Sequence, residues 1–152
     1  MRDPSAPRCD RQAWAVANAQ DKLSVDTRRG AVRQSLGDFG EAWAAGYLTR
    51  RGYRIIDRKV RFRRGEIDLV AWRGATLVFV EVKCRRTSAY GSPQASITRP
   101  RYARLAAAID SYLQDKDLEP EAFRIDVVAM RLDSDGSVRD VSLIENVEPP
   151  AA

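Results

Sequence analysis

The stretch GEIDLVAWRGATLVFVEVKCRR, Gly65–Arg86, decides the fold. Its first half, Glu66–Trp72, and its second, Leu77–Lys83, each read as a strand. Between them Gly74-Ala75 suits a two-residue hairpin loop with glycine first. That loop fixes an antiparallel register in which Asp68 faces Glu81 and Glu66 faces Lys83. Ile67, Leu69, Val78, Val80 and Val82 then share the other face.

Opposed residues of an antiparallel pair point to one side, with Cβ atoms about 4.5–5.5 Å apart, and like charges so placed repel. The register therefore sets Asp68 beside Glu81, with Lys83 next to them. Two explanations are open at this point. A divalent cation would remove the repulsion, and oxygen ligands suit Mg²⁺ or Mn²⁺. Alternatively Lys83 neutralises both acids in a surface salt-bridge ladder.

The chain has 152 residues, 44% hydrophobic and 31% charged, as expected for one ordinary soluble domain. No apolar run approaches the ~20 residues of a membrane span. The N-terminus has no signal-peptide core, so a cytoplasmic location and no membrane association are expected. Cys9 and Cys84 have no metal-ligand or disulfide spacing, and Cys84 reads as a small strand residue. The complete lack of histidine excludes Ser-His-Asp and Cys-His nucleophilic schemes and His-based acid–base catalysis. A hydrolytic reaction would have to rely on carboxylates, lysine and a metal. The net charge of +5, carried mostly by arginine, points to a polyanionic partner.

Residues 1–33 form a poorly patterned extension, polar and Pro-containing at its start, with a short helix expected over Ala13–Leu23. A helix is predicted from Ser35 to Arg51, its apolar stripe made by Leu36, Phe39, Gly40, Trp43 and Tyr47. Glu41 lies at the border of that stripe, close in angle to Leu48. Taken alone it reads as a solvated acid, or as one pointing along the packed interface. Tyr53–Phe62 is a first strand, and Arg63-Arg64-Gly65 turns into the hairpin. Thr87–Pro93 is a loop. A second helix runs from Thr98, a suitable N-cap, to Gln114, burying Leu105, Ala108, Ile109, Tyr112 and Leu113. Phe123–Leu132 is a fourth strand, in which Asp126 reads as a paired structural acid. Val138–Val147 is an edge strand, and 148–152 a disordered tail.

Basic residues crowd the approaches to the acidic face: Arg61, Arg63 and Arg64 before it, Arg85 and Arg86 after it. Arg99, Arg101 and Arg104 stand near the start of the second helix. There positive charge opposes the helix dipole by ~0.3–1 kcal/mol each, which makes sense if a phosphate occupies the spot. The element order gives an α/β class, a mixed central sheet flanked by helices with core order α-β-β-β-α-β over residues 34–147.

This order, with Gly40-Glu41, Gly65-Glu66-Ile67-Asp68-Leu69, Val78-Phe79-Val80-Glu81-Val82-Lys83 and Phe123-Arg124-Ile125-Asp126-Val127, resembles the PD-(D/E)xK nuclease superfamily and its restriction-endonuclease-like sandwich. More narrowly it resembles the YraN family of predicted endonucleases, which is similar to Holliday-junction resolvases. The resemblance implies a metal-dependent endonuclease acting on DNA, branched or damaged DNA included. Asp68, Glu81 and the Val82 backbone carbonyl would hold Mg²⁺ or Mn²⁺, with Glu41 adding a direct or water-mediated ligand. Lys83 would orient or deprotonate the attacking water. The arginines named above would hold the nucleic acid, and resolvase activity would call for a homodimer. Two positions depart from the family pattern: Lys59, where an asparagine is expected, and Arg101, where a lysine is expected. The alternative is a non-catalytic nucleic-acid-binding module, or an assembly partner in DNA processing, that keeps the fold.

Overall fold

The computed structural model describes residues 36–86 and 97–151. The helix expected at Ala13–Leu23 and the Thr87–Pro93 loop lie outside those residues. The elements follow the predicted order: α1 (Leu36–Arg50), β1 (Arg54–Phe62), β2 (Gly65–Arg73), β3 (Thr76–Arg85), α2 (Arg99–Asp115), β4 (Ala122–Leu132) and β5 (Val138–Ile144). The five strands make one mixed sheet in sequence order. All neighbours are antiparallel except β3 and β4, which the chain joins through α2. A parallel pair needs such a long crossover. The edge strand is shorter than predicted, ending at Ile144, although Val147 N–H still donates to the Ile125 carbonyl at 2.8 Å.

β3 is the centre of the sheet, and Leu77, Val78, Phe79 and Val80 are all fully buried. A continuous apolar run of this kind marks a strand covered on both faces. Val78 and Val80 join Leu69, Ala71, Val128 and Met130 in a core with the α1 residues Ala44, Ala45 and Leu48. Leu77 and Phe79 join Ile67, Val70 and Ile125 in a second core with Leu105, Ala108, Ile109 and Tyr112 of α2. Each helix therefore covers one face. The α2 face is the predicted one, with Leu113 only half-buried at its margin.

On α1 the packed face differs from the predicted stripe. It consists of Gly40, Ala44, Ala45 and Leu48, while Trp43 and Tyr47 stack on each other at the margin with ring centroids 5.4 Å apart. The reason is the closeness of helix to sheet: a Cβ on Gly40 would lie 2.8 Å from Cys84 Cβ. Small side chains permit that approach and large ones are pushed aside. Cys84 is thus the packing residue the sequence suggested, and its burial raises the thiol pKa.

The buried acid Asp126 is also structural, as predicted. It accepts hydrogen bonds from Arg124 Nε and Nη2, Tyr53 O–H and Asn146 N–H, at 2.9–3.2 Å.

The helix–sheet contact can be tested within α1. Gly40→Ala is expected to destabilise the protein by about 1–3 kcal/mol through overpacking. Gly46→Ala, whose Cβ would meet only Arg50 Nη1 at 3.5 Å, is expected to stabilise it by about 0.5–1 kcal/mol. Urea unfolding of both variants reads the two signs.

Candidate active site

The hairpin register is the predicted one where the strands pair. Gly74 takes φ +58 at the turn, and the ladder runs from Arg73–Thr76 to Leu69–Val80. It stops there. β2 continues along β1 as far as Gly65, and β3 continues along β4 as far as Arg85. The two central strands therefore part like a fork, and the expected pairs Asp68–Glu81 and Glu66–Lys83 do not form. Instead Asp68 Oδ2 accepts the Val82 N–H at 2.8 Å. A carboxylate replaces the strand partner that this donor has lost.

The side-chain alternation also breaks at this level. Val60 pairs with Ile67 and Arg58 with Leu69, while Lys59 between them has φ +49 and Lys59 and Asp68 are not paired in the ladder. A lysine at positive φ is uncommon, and asparagine is favoured there several-fold. The inversion moves Ile67 to the α2 core, away from Leu69, Val78 and Val80. The single apolar face expected for those residues is thereby divided. The inversion also brings Lys59 to α1, where its ammonium pairs with Asp38 and lies 3.6 Å from Glu41 Oε2.

Glu41 is not solvated. Its side chain is 17% exposed, and Oε2 is buried without a hydrogen-bond partner. Its closeness in angle to Leu48, which lies in the real packed face of α1, accounts for this. Burial raises the Glu41 pKa, and the Lys59 charge works against that rise.

Asp68 is 6% exposed and Glu81 1% exposed. Desolvation pushes the Asp68 pKa from 3.8 up to about 7, with a further push from the Glu81 charge and a smaller one from Glu41; the Val82 hydrogen bond and Arg101 oppose it. The three acids thus act on one another although they come from α1, β2 and β3.

Neither explanation offered for the acids described the pairing of Glu81 fully. Lys83 Nζ does lie 3.3 Å from Glu81 Oε1. The closer partner is Arg101, which donates from Nε to Oε1 at 2.8 Å and from Nη2 to Oε2 at 2.9 Å. Arg101 Nη2 is also 3.9 Å from Glu66 Oε1, so in this structure the guanidinium is engaged with acids on β2 and β3. Thr98 positions it by capping α2 and accepting the Arg101 N–H. Its signal in the sequence was an arginine unfavourably placed in the first turn of a helix, which a carboxylate explains as well as a phosphate.

The other arginines lie around the open end of the fork. Arg63 and Arg64 form the exposed β1–β2 turn, Arg85 ends β3 with Arg86 just beyond it, and Arg99 and Arg104 are exposed on the first half of α2. Arg61 lies 3.5 Å from Glu66. Gly65 allows α2 to close on this end, since a Cβ there would lie 2.6 Å from the Arg104 carbonyl oxygen.

The chemistry of this donor set suits a hard divalent cation: it offers carboxylate oxygens, one of them, Glu41 Oε2, buried without a hydrogen bond and 3.6 Å from the Lys59 ammonium. Asp68, Glu81, Glu41 and the Val82 carbonyl would be the groups to hold it. Among the described residues, no three acidic, cysteine or histidine side chains are gathered tightly enough to enclose an ion. Both oxygens of Glu81 are engaged by Arg101.

Residues 40–130 match the model of an uncharacterised protein family, UPF0102. A UPF0102 protein of Symbiobacterium thermophilum is 49% identical over 115 residues, spanning 76% of this chain and 97% of the relative. One from Geobacter sulfurreducens is 47% identical over 97 residues, 64% of this chain and 76% of the relative. One from Trichlorobacter lovleyi is 40% identical over 118 residues, 77% and 92%. No helix among the described residues is long and apolar enough to cross a membrane.

Asp68 binds its proton more tightly when folded than when unfolded. Its contribution to stability is therefore complete below about pH 4 and is lost as the pH rises through about 7. In metal-free buffer Asp68→Asn is expected to be more stable than the wild type at pH 8, by on the order of 2–4 kcal/mol. The two should converge near pH 4, as read by chemical denaturation across that range.

Proposed function

This chain belongs to the UPF0102 family, the YraN family, and we propose that it is a metal-dependent endonuclease hydrolysing phosphodiester bonds in DNA, branched or damaged DNA included. The α-β-β-β-α-β core is read as the restriction-endonuclease-like arrangement. The observation that carries the proposal is the burial of Asp68 and Glu81 where β2 and β3 part, with the Lys83 ammonium 3.3 Å from Glu81. Two desolvated carboxylates beside a lysine are costly to a fold. A hydrolytic site is a reason to keep them.

In this reading Asp68, Glu81 and the Val82 carbonyl would hold Mg²⁺ or Mn²⁺, and Glu41 would complete the set through Oε2, which accepts no hydrogen bond. The cation supplies Lewis acidity and charge shielding at the scissile phosphate. Lys83, partly open to solvent, orients the attacking water and counters the negative charge that grows on the phosphate oxygens. The Val82 N–H fixes the Asp68 carboxylate, so it needs little reorganisation during the reaction. The exposed Arg63, Arg64, Arg85, Arg86, Arg99 and Arg104 flank the open end of the fork and suit the phosphates on either side. Binding of this kind weakens steeply with salt.

The test is a panel of single-stranded, duplex and branched DNA with Mg²⁺ or Mn²⁺. Nicking is expected from the wild type and not from Asp68→Asn or Glu81→Gln, both of which keep DNA binding. Lys83→Met is expected to slow cleavage about 10²–10⁴-fold. Absence of cleavage on every substrate with either metal would overturn the proposal, and DNA binding indifferent to metal would then favour a non-catalytic binding module.

A further inference from the structure

Arg101 and Glu81 form a fork-to-fork ion pair that uses both carboxylate oxygens. The partners are unequally placed: Glu81 is 1% exposed and Arg101 25% exposed. Solvent, or an arriving phosphate, can therefore reach the guanidinium and not the carboxylate. Arg101 also sits in the first turn of α2 between the exposed Arg99 and Arg104, where an anion is favoured by the surrounding charge and by the helix end.

We propose that Arg101 is a substrate-operated latch on Glu81, a positioning residue that releases the carboxylate to a divalent cation when a backbone phosphate takes over its guanidinium. The inference rests on the reading of this site as a cation-dependent nuclease centre. Its physical basis is that either exchange alone is unfavourable. A cation that displaced Arg101 without a phosphate would leave the guanidinium next to new positive charge with only the half-exposed Glu66, 3.9 Å away, as an acidic neighbour, and with Lys83 already 3.3 Å from Glu81. A phosphate that drew Arg101 off without a cation would leave a buried carboxylate with Lys83 as its remaining partner, and breaking a buried pair by removing one member is strongly unfavourable. When both arrive, every charge has a partner. Arginine suits the task because its planar fork matches carboxylate and phosphate alike. The consequence is positive coupling: cation and phosphodiester each tighten the binding of the other by one common factor.

The experiment measures Mn²⁺ affinity by the electron paramagnetic resonance signal of the free ion, and affinity for a fluorescein-labelled phosphorothioate duplex by anisotropy. Each is determined with and without the other ligand, for the wild type, Arg101→Gln, Arg101→Lys and Asp68→Asn. In the wild type Mn²⁺ is expected to tighten duplex binding at least about fivefold, with the reciprocal gain for Mn²⁺. Arg101→Gln is expected to bind Mn²⁺ about fivefold more tightly than the wild type without DNA, with coupling below about twofold. Arg101→Lys keeps the charge but loses the fork, so it retains a folded protein with intermediate coupling. Unchanged Mn²⁺ affinity and unchanged coupling in both Arg101 variants would overturn the latch, and if Asp68→Asn still abolished Mn²⁺ binding the nuclease reading would survive. Mn²⁺ binding by Asp68→Asn equal to that of the wild type would remove the cation site and the latch together.

Discussion

One hydrogen bond, from the Val82 N–H to the Asp68 carboxylate, holds together the place where the sheet divides. Beyond Leu69 and Val80 the central strands part, and a buried backbone donor without a partner costs about 1–3 kcal/mol. A carboxylate without a donor costs more. Each group relieves the other, so the fork persists inside a packed sheet. At its open end acids from two other elements, Glu81 and Glu41, act on the buried Asp68.

The charges around the fork are arranged in pairs of unequal quality. Glu81 has a bidentate guanidinium, while the buried Glu41 Oε2 accepts no hydrogen bond and has only the Lys59 ammonium at 3.6 Å. Asp126, by contrast, is fully buried on β4 with every partner in place, including Tyr53 and the Asn146 backbone. Both kinds of acid are desolvated, and the difference lies in satisfaction. Asp126 fastens β4 to its surroundings, whereas Asp68 has a single donor, the Val82 N–H, and Glu41 Oε2 accepts no hydrogen bond.

Much of this was legible in the chain before any coordinates. Gly74-Ala75 set the register of the hairpin, and the helical periodicity of α2 identified its buried face. Local pattern could not reveal where the hairpin ladder ends, because that depends on β1 and β4 competing for the far halves of β2 and β3. It also could not reveal the inversion at Lys59, since lysine has no special affinity for positive φ. The α1 stripe differs for a third reason: large apolar residues dominate a periodicity reading, whereas close helix–sheet contact at Gly40, which the stripe does contain, selects Ala44 and Ala45 beside it. Correcting that face turns Glu41 inward. The Arg101–Glu81 pair joins residues 20 apart in sequence that meet only after β3 and α2 have packed.

The most direct measurement is anomalous diffraction at the manganese edge from crystals of the protein grown with Mn²⁺ and a phosphorothioate duplex. The account predicts a single strong peak in contact with the carboxylates of Asp68 and Glu81, with the Arg101 guanidinium turned to a backbone phosphate. A peak elsewhere, or none, with Arg101 still seated on Glu81 and duplex bound, would contradict it.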